Sequence, residues 1–245
     1  MNILSIDGGG IRGIIPGQVL IALEHKLQQI SNDPNTRIAD VFDFVAGTST
    51  GGILACLYSC PNGNGRPKFS ASDAVNLYLQ RGDDIFDVSV FRSITSVGGL
   101  RGPKYSAKPL ENALEFYFSD VRLSQLLKPC LITSYDITRR QAKFFNRQDV
   151  GEPDPAGADF WVRDIARATI LFDGVSETVD YQMQTLFKSA NCSKQYLRLQ
   201  ADLRNSDVDT AMDNASEKNM EALERAGSKL AADNDAALTA FAKLL

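Results

Sequence analysis

Residues 41–59 read VFDFVAGTSTGGILACLYS. An apolar run suited to a buried strand (Val41, Phe42, Phe44, Val45, Ala46) stops at Gly47-Thr48-Ser49-Thr50-Gly51-Gly52, and an apolar helical run with Ile53, Leu54 and Leu57 follows at once. The spelling G-x-S-x-G fits a strand-to-helix turn too sharp for Cβ atoms on either side of the serine. Such a turn is expected to leave Ser49 Oγ projecting free at the sheet edge. Helix-start amides, that of Thr50 among them, then lie beside the hydroxyl, so negative charge on an attacked carbonyl meets the positive end of a dipole. Taken alone, the string fits a plain strand-to-helix connection equally well.

An earlier stretch supplies a second glycine turn. Asn2–Ile6 reads as a short buried strand, Asp7-Gly8-Gly9-Gly10-Ile11-Arg12-Gly13 follows, and Pro16–Ile30 puts Val19, Leu20, Leu23, Leu27 and Ile30 on one helix face. Consecutive glycines permit backbone conformations closed to other residues, and their N–H groups can converge on an anion at the helix start. Gly8, Gly10 and Gly13 also satisfy the dinucleotide spelling G-x-G-x-x-G. That site wants a second strand ending in an acidic residue roughly 20 positions on, and the chain instead has the turn Ser31-Asn32-Asp33-Pro34-Asn35. An oxyanion hole built by Gly8, Gly9 and Gly10 is the preferred reading, with a merely structural turn as its alternative.

Composition narrows the class. A chain of 245 residues with 44% hydrophobic content can bury a full core, as one large α/β domain or two small ones, and one domain is preferred. A formal charge of -4 and a pI near 5.1 argue against nucleic acid as a partner, since no basic stripe is present to displace phosphate counterions. No apolar run approaches the ~20 residues of a membrane-spanning helix. The chain enters a strand at Asn2, leaving no room for a signal peptide, so a cytoplasmic location is expected. Cys56, Cys60, Cys130 and Cys192 form no C-x-x-C pair, and buried structural thiols are expected rather than metal ligands or disulfides.

The remaining chain alternates strands with helices. Pro61–Lys68 is an exposed loop, Ala71–Gln80 a helix capped by Ser70 or Ser72, and Pro109–Phe118 an amphipathic helix, with a short one at Leu123–Leu127. The segment Asp83–Gly102 is apolar without clear periodicity, and reads as an ordinary buried crossing or as the cover of a lipid cleft. Pro129–Tyr135 is an apolar strand with Ala142–Asn146 paired to it. Ala158–Thr169 is a helix carrying Trp161, Ile165 and Ala168 inward, and Tyr196–Leu199 a last strand. Thr178–Phe187 looks helical, and two terminal helices, about Ala215–Ala232 and Ala236–Leu245, close the domain. The expected fold is a three-layer α/β/α sandwich around a mostly parallel sheet.

A serine hydroxyl needs a base. The sole histidine, His25, lies in Glu24-His25-Lys26 on the charged face of the first helix and reads as a solvated surface residue, so a Ser-His-Asp arrangement fails by counting. A carboxylate acting directly on Ser49 remains. With that, IDGGGIRGIIP, GTSTGG, KYSAKPLENALEFYF with KPCLITSYDITRR, WVRDIARAT, and DGVSETVDYQMQTLF with YLRLQ resemble, in order and over nearly the whole chain, the blocks of bacterial patatin-like phospholipases. The resemblance implies a Ser-Asp dyad with Ser49 as nucleophile and Gly8, Gly9 and Gly10 as the oxyanion loop; the helix-start amide of Thr50 is a further candidate donor. It also puts Arg12 at the family's basic, anion-binding position.

One part of the family pattern is missing. Relatives continue the ARAT block with Ser-Ala-Ala-Pro and then a strand ending in D-G-G or D-G-A, whose aspartate is the base; here Arg167-Ala168-Thr169 runs into Ile170-Leu171-Phe172-Asp173-Gly174-Val175. Asp173 is a weak substitute, because its surroundings match the later DGVS block and only three residues separate it from the preceding helix. The sequence thus reads as a single domain over residues 1–245 lacking a segment at about 169/170. Three accounts stay open: residues present in the molecule but not represented, a deletion, or a divergent use of Asp173. The expected function is hydrolysis of phospholipid or related acyl-lipid esters, in the cytoplasm or peripherally at the membrane, with no metal and no cofactor. The alternative is a catalytically silent module of the same fold that binds lipid or a partner. A regulatory ligand, as in a toxin or defence effector, is a further reading on which the sequence is silent.

Overall fold

The computed structural model describes residues 1–86, 108–136, 138–150, 157–170, 183–184, 187–190, 192–204, 206–209 and 211–245. Among them lies a sheet in the order β1 (Ile3–Ile6), β2 (Phe44–Thr48), β3 (Cys130–Asp136), β4 (Gln141–Asn146). β1, β2 and β3 are parallel neighbours and β4 returns antiparallel to β3. The α/β class with a mostly parallel sheet is what the pattern of strands and helices foretold.

Register sorts the side chains onto two faces. Ile6, Val45, Gly47, Cys130, Ile132, Ser134 and Phe145 point to one side and are buried. That side receives α3 (Thr50–Ser59), every residue of which is buried, and α6 (Val162–Thr169). On the other side Ile3, Tyr135 and Phe144 keep 51%, 37% and 52% of their surface, and Phe44, Ala46, Leu131 and Thr133 are half-buried.

The helices α1 (Ile14–Ser31), α4 (Ala71–Phe86) and α7 (Glu217–Asp233) pack on one another, with α8 (Asp235–Ala242) against α1. α5 (Lys108–Phe118) lies against α4 and α6. Their apolar stripes merge with the buried sheet face into one core containing Ile11, Leu20, Leu54, Leu77, Leu114 and Leu223. Ser70 caps α4 as expected: its hydroxyl accepts from Asp73 N–H at 3.1 Å, while the Asp73 carboxylate accepts from Ser70 N–H at 2.9 Å.

Several expectations change in detail. Residues from Val41 do not enter the strand directly, because Ile38–Val41 forms a helical turn, α2, whose Asp40 carboxylate accepts from Arg37 N–H at 2.8 Å. Trp161 stands before α6 rather than inside the core, half-buried with the Arg122 and Arg163 guanidinium carbons 4.0 and 5.0 Å from its ring centre. Cation-π stacking thus holds a residue that hydrophobicity alone assigned inward. Tyr196–Leu199 pairs with no strand among the described residues and is half-buried loop. Asp173 and most of Thr178–Phe187 lie outside the described residues, as does 87–107, which contains most of the apolar segment ending at Gly102.

Glu24 is the largest surprise on α1. It is 3% exposed, where the sequence put it on a charged face, and its carboxyl accepts from Ile38 N–H at 3.2 Å and Ala71 N–H at 3.0 Å. One side chain thereby satisfies the first turns of α2 and α4. Burial raises its pKa above the ordinary 4.5, the two backbone bonds pulling the other way. Glu24→Ala should lower Tm by roughly 4–8 °C, the loss of about 2 kcal/mol of buried hydrogen bonding in a chain of this size. Because the folded pKa is raised, the wild-type margin over the variant is fullest below the unfolded value of 4.5 and narrows as pH rises through the folded value. Melting curves of both proteins across that range check the sign.

Candidate active site

β2 ends at Thr48 and α3 begins at Thr50, so the turn between them is one residue, Ser49. Its backbone sits at φ 53°, ψ -125°, a region that costs an L-residue about 1–3 kcal/mol and persists only where surrounding structure enforces it. The enforcement is steric. A Cβ on Gly51 would come within 2.1 Å of the Ile6 carbonyl oxygen, and one on Gly47 within 2.3 Å of the Gly51 carbonyl oxygen. The turn is therefore wedged against the end of β1 with no space for side chains.

The first glycine loop meets this turn directly. A Cβ on Gly8 would lie 2.7 Å from Ser49 Cβ and 2.7 Å from the Thr48 carbonyl oxygen. Gly10, at φ 60°, lies under Met212, whose carbonyl accepts from Ile11 N–H at 2.9 Å. Arg12 N–H donates to the Gly9 carbonyl at 3.2 Å, as does Arg12 Nε at the same distance. The amides of Gly9 and Gly10 meet no acceptor among the described residues.

Two residues that sequence reasoning did not single out complete the frame. Thr169 Oγ1 accepts from Ser49 N–H at 2.9 Å and donates to the Thr133 carbonyl at 2.6 Å. Arg198 Nη2 donates to Asp7 Oδ2 at 2.7 Å, fastening the chain around Leu197–Leu199 to the start of the glycine loop. A signal for each existed, since both fall in blocks quoted for the family resemblance. A block match does not say which atom faces which.

Ser49, Gly8, Gly9, Gly10, Thr50 and Arg12 are thus neighbours in the turns that follow β1 and β2. One expectation is corrected: Ser49 does not project free but keeps only 2% of its surface. The two glycine turns touch without intervening side chains, and Thr169 takes the turn's amide. His25 is exposed on α1, as expected. Cys56, Cys60 and Cys130 are buried free thiols. Burial pushes Cys60 and Cys130 up to about 11 and Cys56 well above its usual value, so these thiols stay protonated at neutral pH. No carboxylate among the described residues is hydrogen-bonded to Ser49.

A family model for patatin-like phospholipases matches residues 4–186. Patatin-05 of Solanum tuberosum is 40% identical over 152 residues, covering 62% of this chain and 38% of that protein. Patatin-like protein 4 of Arabidopsis thaliana is 40% identical over 146 residues, covering 60% of this chain and 36% of that protein. The chain therefore spans little more than a third of the length of these curated relatives. Among solved structures, the type III effector protein ExoU aligns at a TM-score of 0.47 with 13% identity, over 96% of this chain and 53% of that chain.

Gly51→Ala forces a Cβ onto the Ile6 carbonyl, a backbone atom that cannot swing aside. It should cost about 3 kcal/mol, read as a Tm lowered by roughly 6–12 °C. Gly63→Ala, where nothing lies within 4 Å of the added carbon, should leave Tm within about 2 °C of wild type.

Proposed function

The chain belongs to the patatin-like phospholipase family, and from that premise we propose that it is a serine acyl hydrolase that cleaves the ester bonds of phospholipids or related acyl lipids through a Ser-Asp dyad. What carries the reading is Ser49, held at φ 53° in a one-residue turn beside a glycine loop whose Gly9 and Gly10 amides are unengaged among the described residues. A strained serine next to unpaired amide donors is the arrangement an acyl transfer needs.

In this mechanism Ser49 Oγ attacks the ester carbonyl while an aspartate takes the hydroxyl proton. The carbonyl oxygen becomes an oxyanion held by the loop amides at Gly8, Gly9 and Gly10, with Thr50 at the helix start as a further donor. Ser49's own N–H is spent on Thr169 and is no candidate. Arg12, braced on the Gly9 carbonyl, is assigned to anion binding beside the loop. As the tetrahedral adduct collapses, the aspartic acid returns the proton to the departing alcohol. Water activated by the same aspartate then attacks the acyl-serine, releases the fatty acid and restores the hydroxyl. These steps call for neither metal nor cofactor.

The base belongs to the proposal as well. Ile170 follows Thr169 as the residue that caps the end of α6, at φ -59°, ψ -24°, and Asp173 comes three positions later. A single patatin-like domain over residues 1–245 lacking a segment at about 169/170 is retained here, with Asp173 as the carboxylate to test first.

Wild-type protein with phospholipid vesicles should release fatty acid, and Ser49→Ala should lose at least about a thousandfold of that rate. Full hydrolysis by Ser49→Ala sinks the nucleophile assignment, and vesicle binding without release by wild type sinks the hydrolase reading. Asp173→Asn should reduce the rate about 10²- to 10⁴-fold where Asp173 is the base, and unchanged turnover assigns the proton to another group. Since Ser49 is 2% exposed, its labelling by a fluorophosphonate, followed by intact mass, should be slow in buffer and faster with detergent micelles that loosen the surrounding chain.

A further inference from the structure

Thr169 is the last residue of α6 and is fully buried. Both hydrogen-bonding capacities of its hydroxyl that geometry resolves are in use, accepting from Ser49 N–H at 2.9 Å and donating to the Thr133 carbonyl at 2.6 Å. Thr133 is the register partner of Thr48, the residue just before the serine, so the hydroxyl bridges the turn to the neighbouring strand. The methyl is engaged too: a Cβ on Gly52 would lie 2.9 Å from Thr169 Oγ1 and 3.2 Å from its Cγ2, so the side chain presses on the first turn of α3. The end of α6 is itself fixed, since Ser134 Oγ donates to the Ala168 carbonyl at 2.6 Å.

Ser49 sits at φ 53°, ψ -125°, a conformation that relaxes unless its surroundings hold it. Steric wedging by Gly47 and Gly51 prevents collapse of the turn, but a wedge does not set the direction of the Ser49 N–H. A directional bond does. From this geometry we infer that Thr169 is a positioning residue for Ser49, fixing the turn through its backbone amide and withdrawing that amide from the donors open to an oxyanion. The inference rests on the acyl-hydrolase reading of Ser49 for its kinetic consequence. Its structural half, a protected Ser49 amide, stands without it.

Thr169→Val keeps the shape and removes the hydroxyl, leaving Ser49 N–H and the Thr133 carbonyl buried without that partner. Thr169→Ser keeps the hydroxyl and removes the methyl. Hydrolysis of a soluble p-nitrophenyl acyl ester and fluorophosphonate labelling of Ser49 are measured for wild type and both variants. Hydrogen exchange at the Ser49 amide and melting curves accompany them. For Thr169→Val, kcat and the labelling rate should fall about 10- to 100-fold, as expected for a reacting atom displaced by a fraction of an ångström to one ångström, with KM little changed. The Ser49 amide should exchange at least about tenfold faster, one lost hydrogen bond's worth. Thr169→Ser should restore all three to within about threefold of wild type even where its Tm drops. Should Thr169→Val not fold, Thr169→Ala takes its place with the same expectations.

Wild-type kcat and amide protection in the hydroxyl-free variant overturn the inference. So does a Thr169→Ser protein as impaired as Thr169→Val, which would give the role to the methyl. A wild-type protein that neither turns over ester nor takes the label instead defeats the hydrolase reading. Amide exchange alone then decides the role of Thr169, and an equally slow Ser49 amide with and without the hydroxyl refutes it.

Discussion

The structure turns on an approach too close for side chains. At Gly8, Gly47 and Gly51 a single added carbon would fall 2.1 to 2.7 Å from backbone oxygens, so the ends of β1 and β2 are locked with main chain against main chain. Everything specific to the site follows from that contact. It puts the glycine loop beside Ser49, starts α3 immediately after the serine, and holds Ser49 at a positive φ that costs energy in isolation. Packing of the fully buried α3 against the sheet keeps the contact closed, and the wide apolar core supplies the stabilisation that offsets the strain.

Steric exclusion and directional bonding divide the work. Glycines make the turn possible without choosing its orientation, while polar contacts from remote parts of the chain do the choosing. Thr169 reaches the turn's amide across 120 residues, Arg198 reaches Asp7 across 191, and the Met212 carbonyl takes the Ile11 amide. Glu24 does the equivalent service away from the site, serving two helix starts with one carboxyl. Such close assembly leaves Ser49 with 2% of its surface.

Much of this was legible in one dimension, and the reason is local. G-x-S-x-G between an apolar strand and an apolar helix announces the turn, because glycine at those positions is a backbone requirement that propensity cannot disguise. DGGG after the first strand announces the second tight glycine turn for the same reason. Alternating strands and helices gave the parallel sheet, and a single exposed histidine removed the commonest base. Boundaries slipped where a side chain's behaviour depended on distant partners. Val41 joined a helical turn capped from Asp40, Trp161 was held outside the core by two arginines, and Glu24 was drawn inside by two amides that only folding brings to it.

What the sequence determined by itself was the backbone plan: which residues turn, which alternate and which lack a Cβ where none fits. Those are short-range requirements written in consecutive residues. Tertiary structure alone decided that Thr169 grips Ser49, that Arg198 grips Asp7 and that the serine is buried rather than free. Hydrogen-bond partners and burial are properties of atoms far apart in the chain, and no spacing rule encodes which distant hydroxyl will arrive at a given amide.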